Sequence, residues 1–356
     1  MVRIRLASLL LGLLLITTTG CADPLPPVPP SPQPAPSPTP RPSDREALAF
    51  VEAFMQARMA GATSAVQAML DRSLAGRAGT FALKSGERIT AYLVEALPND
   101  NEAFFRYQIR VAVSIDASRS RVATERLTVA WRGGFKAADW VDVPTQMLTL
   151  SEGKDRKLYL YRGQDLAEVA DRDVLPKAYR PFGAGAGIAF ATGREGWLVA
   201  APSLTGSHVL WVTRGNHPLL GFSQVNWGGA PIQASLDLLF EGGATEAAWA
   251  PGTAQHVAVA VAVPSGSTLL YIWDVTTKTR FGPDLTKELG PDVTVKGIRW
   301  PCAVRKIVAF DILQGGRQSG PWLYDLEQGL EQKRLVGPQG SDLSAICAQS
   351  VVPAQP

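Results

Sequence analysis

The sequence predicts a multidomain chain of two fold classes, an α+β region followed by an all-β region of repeated units, both behind a long extended linker. Three observations lead there. Apolar residues at three- and four-residue spacings give way after Gly79 to alternating runs, the change from a helical to a strand period. Further on, apolar segments ending in an aromatic residue recur, and two copies lie 51 residues apart, from Trp249 to Trp300 and from Asp274 to Asp325. Ahead of both regions, eleven of the nineteen residues 24–42 are proline.

Residues 1–20 place a basic start (Arg3, Arg5) before an almost unbroken apolar run from Leu6 to Ile16. Thr17-Thr18-Thr19-Gly20 then leads directly into Cys21. That is the order of a secretory signal peptide. Eleven apolar residues rise only about 16 Å as a helix, roughly half of a bilayer core, which is short for a permanent span. A Cys directly after the cleavage point resembles the lipobox of bacterial lipoproteins. Gly20 fits that pattern, while Thr18 stands where the family usually has Leu, so a conventional cut elsewhere near residue 21 is the rival. The resemblance implies loss of 1–20, lipidation of Cys21, and a protein held by its N-terminal lipid on the extracytoplasmic face of the cell membrane. Residues 21–42 are then the lipidated Cys and its linker. Proline fixes φ and donates no backbone hydrogen bond, so the linker samples extended polyproline II. At about 3.1 Å per residue it reaches on the order of 60 Å. It reads as a semi-rigid stalk, with a PxxP ligand as the competing reading.

Hydrophobic residues are 46% and charged residues 19% of the chain, and 314 residues follow Pro42, enough for two domains. The formal charge of +3 belongs partly to the signal and linker. Without Arg3, Arg5, Arg41 and Asp23 the body holds 32 basic and 31 acidic residues, a balance that gives no electrostatic footprint for nucleic acid.

Residues 43–148 form the first folded region. Ser43-Asp44-Arg45-Glu46 spells a capping box. Leu48, Val51, Phe54 and Met55 make one apolar helical face, and Gly61 ends the helix. A second helix is expected over Thr63–Leu74 with Val66, Met69 and Leu70 inward. Strands are expected around Ile89, Tyr92 and Val94, over Phe104–Ile115, over Val122–Trp131 and, after the Gly133-Gly134 turn, over Phe135–Val143. Two helices followed by a curved antiparallel sheet, with paired final strands from Leu127 to Trp140, resemble the NTF2-like cone fold. The resemblance implies an apolar pocket that Tyr92, Tyr107 and Trp131 would line, although aromatics on a curved sheet are more often core. Enzymes of that superfamily use an Asp or His base. Here no His or Cys falls between 43 and 148, and Asp116 and Asp139 sit in or beside turns, where carboxylates are usually solvated.

Residues 149–356 hold the repeat. Ile188-Ala-Phe190-Ala-Thr-Gly193, Ala247-Ala-Trp249-Ala-Pro-Gly252 and Ile298-Arg-Trp300-Pro301-Cys302 align. Each is followed by a second apolar run (Trp197–Ala201, Val257–Val263, Ile307–Ile312) and a third (Val209–Val212, Leu269–Asp274, Trp322–Asp325). Three strands and a return segment at this period suit a β-propeller blade, which buries its faces only by stacking on neighbours. The segments resemble the blades of WD-type and TolB-like propellers, Trp273-Asp274 matching the namesake dipeptide of the former. A degenerate copy starting at Lys157-Leu-Tyr-Leu-Tyr161 is expected to supply outer strands of the preceding blade. At roughly 50 residues per blade the region holds about four blades. The ring is therefore small, or incomplete and closed by another element. A β-sandwich of the same strands is the alternative.

Chemistry is sparse along this half. His208, His217 and His256 are far apart without metal-ligand spacing and read as surface or rim residues. Gly183-Ala-Gly185-Ala-Gly187 lacks the G-x-G-x-x-G order and reads as a turn. Asp171-Arg172-Asp173 reads as a solvated cluster, and no serine sits in a G-x-S-x-G elbow. No catalytic residue, metal ligand or cofactor is assigned. Cys302 and Cys347 remain once Cys21 is lipidated, and in an exported protein they are candidates for a disulfide, two free thiols being the other outcome. The leading expectation is a non-enzymatic, lipid-anchored envelope protein that binds a protein partner through the propeller rim or face. The alternative is a ligand-binding or solute-sensing lipoprotein using the pocket of the first region. A hydrolase or lyase acting in the central channel would need convergent carboxylates or histidines.

Overall fold

The computed structural model describes residues 42–348 apart from 82, 99–102, 117–118, 153, 155–157, 163–164, 171–196, 214–218, 226, 228–233, 240–243, 253, 264, 328–334 and 337–342. Cys21, the stalk, Asp171–Asp173, Gly183–Gly187, Ile188–Gly193 and His217 lie outside the described residues. Among the described residues no helix is long and apolar enough to cross a membrane. The chain is mainly β, arranged in several antiparallel sheets.

Helix α1 (Asp44–Met59) starts on its capping box: Ser43 Oγ accepts the Glu46 N–H at 3.2 Å, and Glu46 Oε2 accepts the Ser43 N–H at 2.7 Å. Its Ala47, Val51, Phe54 and Met55 are fully buried against an antiparallel sheet of β1 (Arg88–Leu97), β2 (Phe104–Ser114), β3 (Ser120–Trp131) and β4 (Phe135–Asp142). The expected single second helix is two. Helix α2 (Thr63–Met69) stops at Leu70, which turns extended and bridges Ala137 of β4, and Asp71 donates its N–H to the Ala137 carbonyl at 2.8 Å. Asp71 then caps α3 (Arg72–Ala75) through the Ser73 N–H. Sheet bonds replace helical ones at that point, so the helix cannot continue.

Strand β3 is shared. Its Glu125–Trp131 part pairs with β4, whereas Ser120–Val122 pairs with β5 (Leu148–Glu152), which continues into β6 (Leu158–Arg162) and β7 (Asp165–Ala170). The result is a seven-stranded sheet that runs through residue 148. The Leu158–Tyr161 run lies in β6, third in the order β3-β5-β6-β7.

Three four-stranded sheets follow, each a meander. They are β8 (Trp197–Pro202), β9 (His208–Thr213), β10 (Leu219–Gln224) and β11 (Ala234–Leu239); β12 (Ala244–Trp249), β13 (His256–Ala262), β14 (Thr268–Asp274) and β15 (Thr279–Phe281); and β16 (Thr294–Arg299), β17 (Ile307–Gln314), β18 (Arg317–Asp325) and β19 (Leu335–Val336). The first strands meet one another, β12 packing against β8 and β16. This differs from the expected first copy of the repeat: among the described residues Trp197–Ala201 opens its sheet, where the alignment made it the second run. First strands begin at 197, 244 and 294, a more even spacing than the aromatic alignment implied. An apolar run buried on both faces looks alike in first and second position, so its composition cannot reveal its place in the sheet.

The recurrent aromatics latch the units together. Trp249 donates its Nε1–H to the Ala201 carbonyl of β8 at 2.7 Å, and Trp300 donates in the same way to Ala248 of β12 at 2.9 Å. The recurrent aspartates shape the turns into the fourth strands. Asp274 Oδ1 accepts the N–H groups of Thr276 and Thr277, and Asp325 Oδ1 accepts that of Glu327. Gly221 is required where β10 passes over Trp211, since a Cβ there would lie 2.1 Å from the indole ring.

The N-terminal sheet closes the propeller-like ring. Ala91 of β1 forms a parallel bridge with Trp300, whose N–H donates to the Thr90 carbonyl at 2.7 Å. On the other side Ser120 of β3 donates its hydroxyl to the Ala200 carbonyl of β8 at 3.2 Å. One apolar core therefore runs from Ala91 and Val122 through Trp211 to Trp300 and Phe310, and the described residues form one compact unit.

Candidate functional site

The aromatic residues expected to line a pocket take other places. Tyr92 and Tyr107 are buried in the core beneath α1, and burial pushes the Tyr107 phenol up to about 12. Trp131 is half-buried at the β3–β4 hairpin, its ring 4.8 Å from that of Phe135. Asp116 pairs with Arg119 at 2.6 Å in the turn after β2, and Asp139 lies within β4. Cys302 and Cys347 are bonded, which ties the helix Leu343–Ala348 to the segment after β16. His208 is partly buried beside Ser207, and burial lowers its pKa. His256, read from sequence as a surface or rim residue, is instead buried 3.6 Å from Asp274. It opens β13 inside the sheet, where strand pairing hides it. Among the described residues no group of three or more His, Cys, Asp or Glu is placed to hold a metal.

Two buried polar clusters had no sequence signal. Arg58 of α1 grips Glu125 of β3 bidentately at 2.6 and 2.9 Å, and Trp140 donates its Nε1–H to the same carboxylate at 3.0 Å. The three span helix and sheet with their charge neutralised. At the joint with the last sheet, Glu52 accepts the Ala303 N–H at 3.2 Å on one oxygen, and its other oxygen lies 2.5 Å from the Tyr92 hydroxyl. That hydroxyl is also 2.6 Å from the Pro301 carbonyl. Burial raises the Glu52 pKa above the usual carboxylate range, against the lowering effect of these hydrogen bonds.

A site with room for a ligand lies between the N-terminal sheet and the sheets that open with β8 and β12. A cavity of about 320 Å³ opens where the starts of β1 and β3 and the end of β2 face β8 and β12. Its walls combine Val199–Pro202 and Thr245–Trp249 with charged residues of both signs. Arg88 of β1 reaches Glu246 of β12 at 2.8 Å, and Glu246 Oε2 also accepts the Ile298 N–H at 3.1 Å. Arg121 is held by Glu87 at 3.1 Å. Thr90, Ser114, Asp116, Ser120 and Thr245 complete the polar lining. Arg88 also lines two adjoining cavities of about 280 and 480 Å³. Rigid strands fix the carboxylate, while the guanidinium has space to move. Such an arrangement can exchange ion partners.

No known protein family matches this chain, and no curated protein matches it. Several solved structures do. TolB from Acinetobacter baumannii aligns at 10% identity over 69% of each chain with a TM-score of 0.31. A putative 6-phosphogluconolactonase from Bacteroides uniformis aligns at 10% identity over 73% of each chain with a TM-score of 0.33. A prolyl endopeptidase aligns at 10% identity and a TM-score of 0.31, covering 71% of this chain, which spans only 34% of that protein. At this level the likenesses carry no argument about ligand or reaction, and the architecture rests on the order and latching of the chain's own sheets.

Proposed function

We propose that this chain is a lipid-anchored, non-enzymatic envelope protein that binds a protein partner through the rim or face of its propeller-like body. The observation that carries the reading is the fusion of the N-terminal helices and sheet into the ring through Trp300–Thr90, Tyr92–Pro301 and Ser120–Ala200. A single stiff body behind a proline-rich stalk is suited to presenting a fixed surface at a set distance from a membrane. The signal-like start, Cys21 and the linker support the location, and helices preceding a bent sheet support an NTF2-like ancestry for α1 to β4. Replacing Cys21 with Ala is expected to release the protein from membranes, read by fractionation and lipid labelling. Crosslinking and pull-down from intact membranes should recover one consistent protein partner. Persistent membrane association of Cys21→Ala, or recovery of no reproducible partner, would count against the reading. The second reading, solute binding, is favoured by the cavity between the N-terminal sheet, β8 and β12.

A further inference from the structure

We propose that the cavity between the N-terminal sheet, β8 and β12 binds a small zwitterion, a free α-amino acid or a dipeptide, with Glu246 receiving its ammonium group and Arg88 its carboxylate. The site does not depend on the scaffold reading, since it needs neither anchor nor partner.

Four observations lead to this ligand class. The cavity volume of about 320 Å³ is at the low end for small-molecule pockets and excludes a folded partner. The lining holds Arg88 and Arg121 beside Glu246 and Asp116. Arg121 is paired with Glu87 and Asp116 with Arg119, so the exchangeable pair is Arg88 and Glu246, one charge of each sign, and an ion of one sign meets as much repulsion as attraction. A molecule bearing both charges avoids that balance. Glu246 is fixed by the Ile298 N–H as well as by Arg88, which leaves a pre-positioned carboxylate when the arginine moves. Arg88 is 35% exposed in its side chain and borders two further cavities, so it can swing without a clash.

Exchange is energetically accessible. A partly exposed ion pair adds little to stability, so parting Arg88 from Glu246 costs little. The ligand then restores both partners with charge-assisted hydrogen bonds, Arg88 gripping a carboxylate in its fork geometry. Ser114 and Thr245 supply neutral hydrogen bonds to the ligand's body. Because the pair bridges β1 to β12, an occupied site would also strengthen the closure of the ring.

Purified full-length protein is to be titrated by calorimetry and thermal shift with glycine, L-alanine, L-glutamate, L-lysine and L-alanyl-L-alanine, and with N-acetylalanine and alanine amide as blocked controls. At least one zwitterion is expected to bind with a Kd of about 1 mM or tighter, and its blocked analogues to bind at least about tenfold more weakly. Glu246→Gln should remove the binding. Thr245→Trp should do the same by filling the cavity while leaving the ion pair intact, and it decides the matter if Glu246→Gln fails to fold. The proposal is overturned if no zwitterion of the set binds, if blocked analogues bind equally well, or if binding survives in the folded variants.

Discussion

At Tyr92 one phenolic proton faces two acceptors, Glu52 Oε2 at 2.5 Å and the Pro301 carbonyl at 2.6 Å. An ionised Glu52 leaves one contact without a hydrogen. A neutral Glu52 satisfies both, donating to Tyr92 while Tyr92 donates to Pro301. Burial raises the Glu52 pKa in the same sense. A carboxyl raised in the folded state contributes stability that is fully present below its unfolded value, near 4.5. That stability is lost as pH rises through the raised folded value. Glu52→Gln mimics the neutral acid, its amide donating to Tyr92 and accepting from Ala303. The variant should therefore keep the low-pH stability and lose less on alkalinisation. Melting temperatures measured for both proteins from about pH 4 to pH 9 test this, and parallel curves would refute it. Neither Glu52 nor Arg58 was legible as a buried charge. Both lie on the helix bearing the apolar face, but their partners are 40, 67 and 251 residues away in sequence, beyond any helical or strand period.

The elements divide by how local their causes are. The start of α1 was readable because a capping box is written in four consecutive residues, and strands β2 to β4 because alternation is continuous along each. The break between α2 and α3 was not, because Leu70 leaves the helix for a partner on β4. The recurrent tryptophans were visible as a repeat, but their role as latches between sheets was not. Trp249→Phe and Trp300→Phe each keep a six-membered aromatic ring but remove the pyrrole edge with its Nε1–H, leaving a small cavity and stranding the carbonyls of Ala201 and Ala248 in a buried place. Each should cost about 1–3 kcal/mol of unfolding free energy, measured by chemical denaturation, and the two costs should be similar if the latch is a true repeat. A loss at one site with none at the other would make the recurrence incidental.

For the whole molecule, the sequence left open whether a ring of about four blades was small or closed by something else. The N-terminal sheet closes it, β1 meeting β16 and β3 meeting β8. The Cys302–Cys347 bond, spanning 45 residues, fastens the C-terminal helix beside the joint. Removing it as a Cys302→Ala, Cys347→Ala double variant should lower stability by about 4 kcal/mol in the chain-entropy model. The midpoint of guanidinium unfolding with and without reductant measures this, and an unchanged midpoint would place the bond outside the cooperative unit.

The sequence alone determined the helix start, the strand periods and the recurrence of the β units, because each depends on near neighbours or a regular spacing that burial imposes on the chain. The folded arrangement settles which strand opens each sheet, what closes the ring, and that Arg88 and Glu246, 158 residues apart, meet in an ion pair on a cavity wall. Those facts depend on contacts between distant segments, set by how whole sheets stack to exclude water from their shared apolar faces.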